Sequence, residues 1–266
     1  MSFPWHERSL TDLAASLDAR ELTSRELVDL YLERIRSFDR RFNAYVTVAE
    51  EEAVRQADET DRRRRTGEVL PPLAGIPIAV KDSIPTAGIR TTANSRLLEH
   101  WVPDEDAAAI RQLRDAGAIV LGKTNLNEFG WALPAESDLT PPARNPWNPS
   151  YAAIGSSTGS GAAVAAGLCA AAIGTDGGGS ARLPAGQNGL AGIKPTHRRV
   201  SRLGMDDSSI SEICPMGRTV ADVALMLTAM AGYEEQDWQS WPEPCPSFSE
   251  QLTADVRGWR IGVPRG

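Results

Sequence analysis

The stretch from residue 155 to residue 196 constrains the fold of this chain more than any other. Its sequence is GSSTGSGAAVAAGLCAAAIGTDGGGSARLPAGQNGLAGIKPT. The small residues at 160–169 predict a closely packed helix, and the apolar run at 170–173 predicts a buried strand. Three glycines then precede Ser180, and glycine lets backbone N–H groups converge because no Cβ blocks close approach. Ser180 is therefore either a nucleophile beside its own oxyanion donors or the cap of a tight turn.

Helices and buried strands alternate along the rest of the chain. Capping boxes at residues 9–12, 23–26 and 219–222 predict helix starts, and a further helix is expected at 48–65. A helix that ends at Gly117 is followed by an apolar strand at 118–121. This alternation favours an α/β sheet with crossover helices. We expect residues 1–70 to form a helical cover and residues 71–266 a catalytic core, together one domain.

Two segments are predicted with less regular structure. Residues 141–149, which include RNPWNP, are rich in turn signals and predict a loop. The chain ends in GWRIGVPRG, a pattern typical of a strand that has just begun.

Composition excludes several classes of function. The net charge of −7 makes a nucleic-acid surface unexpected. No apolar run approaches the roughly 18 residues of a membrane span, and the charged N-terminus lacks a signal-peptide pattern. Cys169, Cys214 and Cys245 have no metal-binding spacing and indicate a reducing compartment, so a cytoplasmic protein without metal or cofactor is expected.

A serine nucleophile needs a base, and the chain offers few histidines for that task. They are His6 in the polar N-terminal segment, His100 after Glu99 in a predicted loop, and His197, which has no orienting carboxylate in the sequence. Lysine is the other known partner of a catalytic serine. Lys81 follows the apolar run AGIPIAV, where burial would disfavour its charged form and make a neutral amine accessible. A surface lysine with a buried stem is the alternative interpretation.

Lys123 and Lys194 are the other lysines in apolar segments. The segment GSSTG matches the G-x-S-x-G pattern formally, with Ser157 at its centre. A nucleophile elbow needs a strong strand before the serine, and a histidine downstream of an acidic residue. The preceding segment PSYAAI is a poor strand, and no histidine follows His197, so we do not expect Ser157 to be the nucleophile.

Several motifs, taken in order, resemble the amidase signature family. They are LAGIPIAVKDS, GKTNLNEF, RNPWNP, GSSTGSGAAVAAGL, GTDGGGSARLPA, GIKPT and PMGRTVADVALML, and the resemblance extends from about residue 10 to residue 264. It implies a mixed β-sheet covered by helices on both faces. It also implies amide hydrolysis by a Ser–cis-Ser–Lys triad.

Carried over by position, the resemblance assigns Lys81 as the base and Ser180 as the acylated nucleophile. Ser156 would bridge them, 24 residues before Ser180 (180 − 156 = 24), after a cis peptide bond. The backbone N–H groups of Gly177, Gly178 and Gly179 would hold the oxyanion.

Two charged residues flank this turn. Asp176 is expected to order it as an acceptor, whereas Arg182 is expected to be structural or to contact a substrate carboxylate.

The chain departs from the family pattern in places. Ile154 and Thr158 replace residues of the usual Gly-Gly-Ser-Ser-Gly-Gly-Ser run, and Gly177 stands where Thr is common. Gln187 and Asn188 replace an aromatic-Cys pair, so an unusual pocket floor is expected. Family members are also longer, which makes this chain resemble the N-terminal part of an amidase, truncated at its C-terminus.

Three functions follow as hypotheses. The first is a metal-free amidohydrolase that cleaves a small-molecule carboxylic amide to acid plus ammonia or amine through a seryl acyl-enzyme. The second is the glutaminase subunit of a tRNA-dependent amidotransferase. The third is an inactive fragment or interaction module, whose exposed sheet edge would invite a partner. A homodimer, or a partner that supplies the C-terminal half, is compatible with all three, and neither direct nucleic-acid binding nor membrane binding is expected.

Overall fold

The computed structural model describes residues 4–131, 137–205, 210–253, 255–260 and 262–263. Its centre is a six-stranded mixed sheet in the order β1-β3-β2-β6-β8-β7, and a separate hairpin pairs β4 with β5. The strands are β1 (Tyr45–Val48), β2 (Pro77–Lys81), β3 (Ile119–Thr124), β4 (Arg144–Asn145), β5 (Asn148–Ala152), β6 (Ala171–Asp176), β7 (Ala191–Gly192) and β8 (Glu212–Gly217). The predicted α/β class is therefore confirmed.

Seven α-helices surround the sheet within the described ranges. They are α1 (Leu10–Asp18), α2 (Ser24–Phe42), α3 (Glu50–Arg65), α4 (Ala108–Asp115), α5 (Thr158–Ala165), α6 (Arg182–Gln187) and α7 (Val220–Met230). In α1, the Ser9 hydroxyl accepts from the backbone of Asp12, and complete capping boxes start α2 at Thr23 and α7 at Thr219. These caps satisfy N–H groups that a helix start leaves unpaired, which is why the sequence marks these positions. None of these helices is long and apolar enough to cross a membrane.

The central strands are parallel, and this arrangement creates the site. β2 pairs in parallel with β3 on one side and with β6 on the other, whereas β1, β8 and β7 join the sheet antiparallel. All residues of β2, β3 and β6 are buried, as expected for strands covered on both faces. Because parallel neighbours end at the same sheet edge, β2 brings Lys81 and β6 brings Asp176 to one edge.

Helices cover both faces of the sheet. Ala181 and Ala185, in and just before α6, pack with Cys214 and Met216 of β8. Ile213 of β8 instead belongs to the main core, which includes α7 residues. Successive residues of a strand point to opposite faces, so α6 and α7 lie on opposite faces of β8. The main core also contains buried side chains of α1 and α2.

Two local predictions differ from the structure. The segment predicted as a loop at 141–149 forms part of the β4–β5 hairpin, because Arg144 pairs with Ala152 and Asn145 with Asn148. The terminal GWRIGVPRG pattern forms no strand in its described residues, 258–260 and 262–263. A strand needs a hydrogen-bonding neighbour, and no described strand pairs with this segment.

Candidate active site

Lys81 is the last residue of β2, and its side chain is almost completely buried, with 1% of the residue exposed. Its Nζ donates to the Ser156 Oγ at 2.8 Å and to the Thr175 Oγ1 at 2.7 Å. The ammonium or amine group is therefore fixed between two hydroxyls from two different elements. The interpretation of Lys81 as a surface lysine is wrong, because its Nζ is held inside the fold rather than extended into solvent.

Ser156 lies in the turn between β5 and α5, after a cis peptide bond with Gly155. The turn is tightly enclosed. A Cβ added at Gly155 would lie 2.2 Å from the Asn127 Oδ1, and one added at Gly130 would lie 3.3 Å from the Ser156 Oγ. A Cβ at Gly155 would force the turn or Asn127 to move, and one at Gly130 would press on Ser156, so the Ser156 side chain is closely enclosed.

Ser180 follows β6 in the turn that leads into α6. Its carbonyl accepts from the Ser157 N–H at 3.0 Å, which ties the two Gly/Ser-rich turns together. Ser180, Ser156 and Lys81 all line one cavity of about 220 Å³. The structure therefore brings together the three residues that the family resemblance assigned to one chemical unit.

Asp176 organises the turn that carries Ser180. Its carboxylate is fully buried and accepts from the backbone N–H groups of Gly179, Ala181 and Arg182 at 2.7, 3.2 and 3.1 Å. The Arg182 guanidinium donates two further bonds, both at 2.9 Å. Burial opposes ionisation of this carboxyl group, but the guanidinium and the N–H donors outweigh it and hold the pKa of Asp176 well below its usual range. Arg182 is thus engaged by Asp176.

The three glycines before Ser180 are not equivalent. The Gly179 N–H, predicted as an oxyanion donor, donates instead to Asp176, because the carboxylate lies inside the turn. Gly177 and Gly178 line the cavity, and in the described part of the chain their N–H groups have no protein acceptor. They are the donors that a developing oxyanion could meet.

Thr175 is the residue that the sequence analysis missed. It precedes Asp176 at the end of β6, lines the cavity and accepts a hydrogen bond from Lys81. The signal was weak: alternation along β6 places Thr175 and Asp176 on opposite faces, but only the neighbouring β2 shows that Thr175 meets Lys81. Strand pairing, not local sequence, makes this contact.

Ser157 is excluded as a nucleophile, as expected. It is completely buried, and its hydroxyl donates to the Thr175 carbonyl and accepts from the Thr175 N–H, both at 3.2 Å. Ser157 therefore joins the turn to β6 through two hydrogen bonds.

Lys123 and Lys194 do not line the described part of the cavity. Lys123 is completely buried, and its Nζ donates to the Ile84 carbonyl at 2.5 Å and to the Thr91 Oγ1 at 2.7 Å. Burial lowers the pKa of Lys123 to about 7 against the opposing influence of the Asp82 carboxylate. This lysine anchors the loop that follows Lys81.

His197 does have an orienting carboxylate, contrary to the sequence prediction. Its Nδ1 lies 2.5 Å from the Oε1 of Glu212, which is 1% exposed at the start of β8. Glu212 lies 15 residues away in sequence, and only the loop that returns to β8 brings the two groups together. Neither residue lines the cavity.

The described residues contain no group of three or more His, Cys, Asp or Glu side chains arranged to hold a metal ion. The cavity presents hydroxyls, glycine N–H groups and one lysine. Such a donor set is suited to proton transfer and oxyanion binding by the protein itself.

Comparison with known proteins gives the family. The Amidase family model matches residues 26–266. The A subunit of glutamyl-tRNA(Gln) amidotransferase from Halorhodospira halophila is 46% identical over 262 residues, which cover 98% of this chain and 54% of that protein. Its counterpart from a Roseiflexus species is 45% identical over the same share of both chains. The chain thus spans about half the length of these relatives.

Solved structures agree with the fold. One, from a vestigial protein complex that reveals the evolutionary origins of an s-triazine catabolic enzyme, has a TM-score of 0.93 and 35% identity over 97% of this chain and 57% of its own. Native peptide amidase from Stenotrophomonas maltophilia has a TM-score of 0.81 and 39% identity, over 96% and 52%. From the family match, the sequence identity and the shared fold, this chain belongs to the amidase family.

Proposed function

We propose that this chain hydrolyses a carboxamide through a covalent ester on Ser180, with Lys81 as the base and Ser156 as the proton relay. The observation that carries the proposal is the position of the Lys81 Nζ. It is buried and lies 2.8 Å from the Ser156 Oγ, in the cavity that Ser180 also lines. A buried lysine held between two hydroxyls is suited to act as a base.

The first half of the reaction forms the ester. Neutral Lys81 accepts the Ser156 proton while Ser156 accepts that of Ser180, and the Ser180 Oγ attacks the carbonyl carbon. The negative charge moves to the carbonyl oxygen, where the N–H groups of Gly177 and Gly178 stabilise it. The proton returns through Ser156 to the amide nitrogen, the C–N bond breaks, and ammonia or an amine leaves.

The second half repeats the relay with water. Lys81 and Ser156 take a proton from water as its oxygen attacks the ester carbon. Collapse of this intermediate breaks the bond to the Ser180 Oγ, which regains its proton, and the carboxylic acid leaves. Thr175 keeps Lys81 aimed at Ser156 throughout, since its hydroxyl accepts from Nζ.

Labelling with a small alkyl fluorophosphonate tests the proposal. The reagent is expected to modify Ser180, and mass spectrometry of the digested protein locates the adduct. Ser180→Ala should abolish the adduct, whereas Ser157→Ala should leave its position unchanged. Persistent labelling of Ser180→Ala at another serine would overturn the assignment.

A second candidate is the ammonia-releasing component of an amidotransferase that acts on glutamyl-tRNA. The observation that favours it is the 43–46% identity to proteins that carry the amidotransferase name, above the 29–40% identity to the solved structures. Glutamine would then be the carboxamide, and a partner would use the ammonia. Ammonia release from glutamine that requires partner subunits and charged tRNA would favour this candidate, whereas free amide turnover would favour the first.

The chain spans about half the length of its relatives. Both candidate functions therefore include polypeptide beyond the 266 residues of this sequence. We expect polypeptide that corresponds to the rest of these relatives to contribute to the cleft. Measuring amide turnover while the corresponding second half of a relative is added tests this expectation: a rise supports it, and a constant rate contradicts it.

A further inference from the structure

Asn94 is a buried residue, 1% exposed, whose side-chain amide is fully engaged by its neighbours. Its Nδ2 donates to the Leu126 carbonyl at 2.7 Å and to the Asn125 Oδ1 at 3.1 Å. Its Oδ1 accepts from the Thr140 Oγ1 at 2.6 Å. The amide therefore fixes the distances between these segments, because a partner that lost its bond would be left unsatisfied inside the protein.

The backbone segment 92–94 is fixed to the residue that follows Lys81. The Thr92 N–H donates to the Asp82 carboxylate at 3.0 Å, and the Thr92 hydroxyl donates to the same oxygen. The Ala93 N–H donates to the Asp82 carbonyl at 2.9 Å. Since Asp82 is fully buried at the end of β2, its position and that of segment 92–94 are set together.

The same segment holds the turn 126–130, which lies against the reacting groups. The Phe129 N–H donates to the Ala93 carbonyl at 2.9 Å, in addition to the bond that the turn accepts from the asparagine amide. A Cβ added at Gly130 would lie 3.3 Å from the Ser156 Oγ and 3.9 Å from the Lys81 Nζ. The backbone of this turn is therefore held beside both groups.

The backbone conformation of this region is one that the surroundings impose. Ala93, Asn94 and Phe129 have left-handed φ values of 49°, 54° and 48°. Asparagine adopts this conformation more readily than alanine or phenylalanine, whose side chains disfavour it. Residues held in such conformations cluster at functional sites, where the surrounding structure over-determines them.

We propose that Asn94 is a positioning residue for the Lys81–Ser156 pair: its amide holds the turn 126–130 against the two groups and keeps them buried. Lys81 is 1% exposed and Ser156 is 6% exposed. Water that entered beside the Lys81 Nζ would compete with the Ser156 Oγ for its hydrogen bond, and the relay would lose its geometry. The effect on rate rests on the proposed function of Ser180, whereas the burial of Lys81 can be tested without it.

Reductive methylation tests the burial directly, because the chain has three lysines in different surroundings. Lys123 is fully buried and Lys194 is partly exposed. The folded protein is treated with formaldehyde and cyanoborohydride, and mass spectrometry measures the methylation rate at each lysine. In wild type, Lys194 should react at least about tenfold faster than Lys81 or Lys123, since a buried amine reacts only when the fold opens.

Asn94→Gly is the decisive variant. Glycine adopts the left-handed conformation without strain, so the change removes the amide and leaves the backbone free to keep its path. Lys81 should then be methylated at least about tenfold faster than in wild type, whereas Lys123 should stay protected. Ser180 labelling by the small alkyl fluorophosphonate should slow about tenfold or more. If the glycine variant does not fold, Asn94→Asp, which replaces the donor by an acceptor, is measured instead with the same expectation.

Asn43→Gly is the matched control. Asn43 is also left-handed (φ 50°), and its amide donates to the Pro142 carbonyl at 3.2 Å, so this variant should leave Lys81 protected and Ser180 labelling nearly unchanged.

Three results would overturn the inference. They are a wild-type Lys81 as reactive as Lys194, an Asn94 variant in which Lys81 stays protected, and one in which Lys81 and Lys123 are exposed together, which indicates general loosening. Faster Lys81 methylation with unchanged Ser180 labelling would overturn the role in the reaction. If wild-type Ser180 is not labelled at all, the proposed function fails, and the methylation rates still decide whether Asn94 keeps Lys81 buried.

Discussion

At the scale of single residues, the hydroxyls of Thr175 and Ser156 are the two hydrogen-bond acceptors of Lys81. Both accept from the Lys81 Nζ, at 2.7 and 2.8 Å, and they come from different elements. A lysine has four rotatable side-chain bonds, so two fixed acceptors remove freedom that would otherwise misdirect the base. The hydroxyl of Thr175 is therefore expected to matter for rate although it forms no bond with substrate in the proposed mechanism.

Thr175→Val tests this expectation. The change keeps the shape of the side chain but leaves a buried Lys81 N–H without its acceptor, which costs about 1–3 kcal/mol. The rate of Ser180 labelling should fall about 10- to 100-fold. Thr175→Ser retains the hydroxyl and should react at nearly the wild-type rate. Equal losses in the two variants would show that packing, rather than the hydrogen bond, is what Thr175 contributes.

Residue identities could be predicted only where the signal is local. The glycine-rich turn marks Ser180 as a candidate and the apolar run marks Lys81, whereas Ser156 was assigned by the family resemblance. No local sequence pattern identifies Thr175, or Glu212 as the partner of His197. Their contacts arise from pairing between strands and from a returning loop, which a linear pattern does not encode.

At the scale of elements, the Asn127 side chain packs closely against the backbone of the turn before α5. A Cβ at Gly155 would lie 2.2 Å from the Asn127 Oδ1, whereas nothing lies within 4 Å of a Cβ at Gly186 in α6. The helices with capping boxes and the buried strands β3 and β6 were predicted, because caps and apolar runs are local signals, whereas α6, β1, β7 and β8 were not predicted. The hairpin was missed because RNPWNP contains turn residues at its tip and its pairing partners lie outside the motif.

Gly155→Ala is expected to destabilise the protein and to slow Ser180 labelling, because the turn or Asn127 must move. Overpacking of this kind costs about 1–3 kcal/mol. Gly186→Ala is the matched control and should be neutral or stabilising by up to about 1 kcal/mol, since alanine is the better helix former. Urea unfolding of both variants measures the difference. A Gly155→Ala protein as stable and reactive as Gly186→Ala would contradict the close packing.

Lys123 makes stability depend on pH. Its pKa in the folded protein is about 7, compared with 10.5 for an unperturbed lysine. Between these values the unfolded chain binds a proton that the folded protein does not, so the Lys123 contribution to stability rises with pH. The slope approaches about 1.4 kcal/mol per pH unit.

Urea unfolding between about pH 6.5 and 9 measures this contribution as the difference between wild type and Lys123→Met. That difference should shift in favour of wild type as the pH rises. Lys194→Met replaces a partly exposed lysine and should show no comparable change. A wild-type minus Lys123→Met difference that stays constant over the range would contradict the assignment.

At the scale of the whole molecule, the sheet places three side chains from distant parts of the chain at one edge. Lys81 ends β2, Ser156 precedes α5 and Ser180 follows β6, and the parallel pairing of β2 with β6 aligns them. The fold class could be predicted because alternating helices and buried strands leave few architectures. The antiparallel β8 and β7 beside β6 could not be predicted from the alternation alone, since register and direction depend on tertiary contacts.

The central claim is that Lys81, Ser156 and Ser180 act as one proton-relay unit. A double-mutant cycle tests it most directly, with the rate of Ser180 phosphonylation measured in wild type, Lys81→Met, Ser156→Ala and the double variant. Each single change is expected to slow the reaction about 1,000-fold or more. The double variant should be no slower than the slower single variant, because the loss of either residue already removes the whole proton relay. Losses that multiply in the double variant, or a Lys81→Met protein that reacts like wild type, would contradict the account.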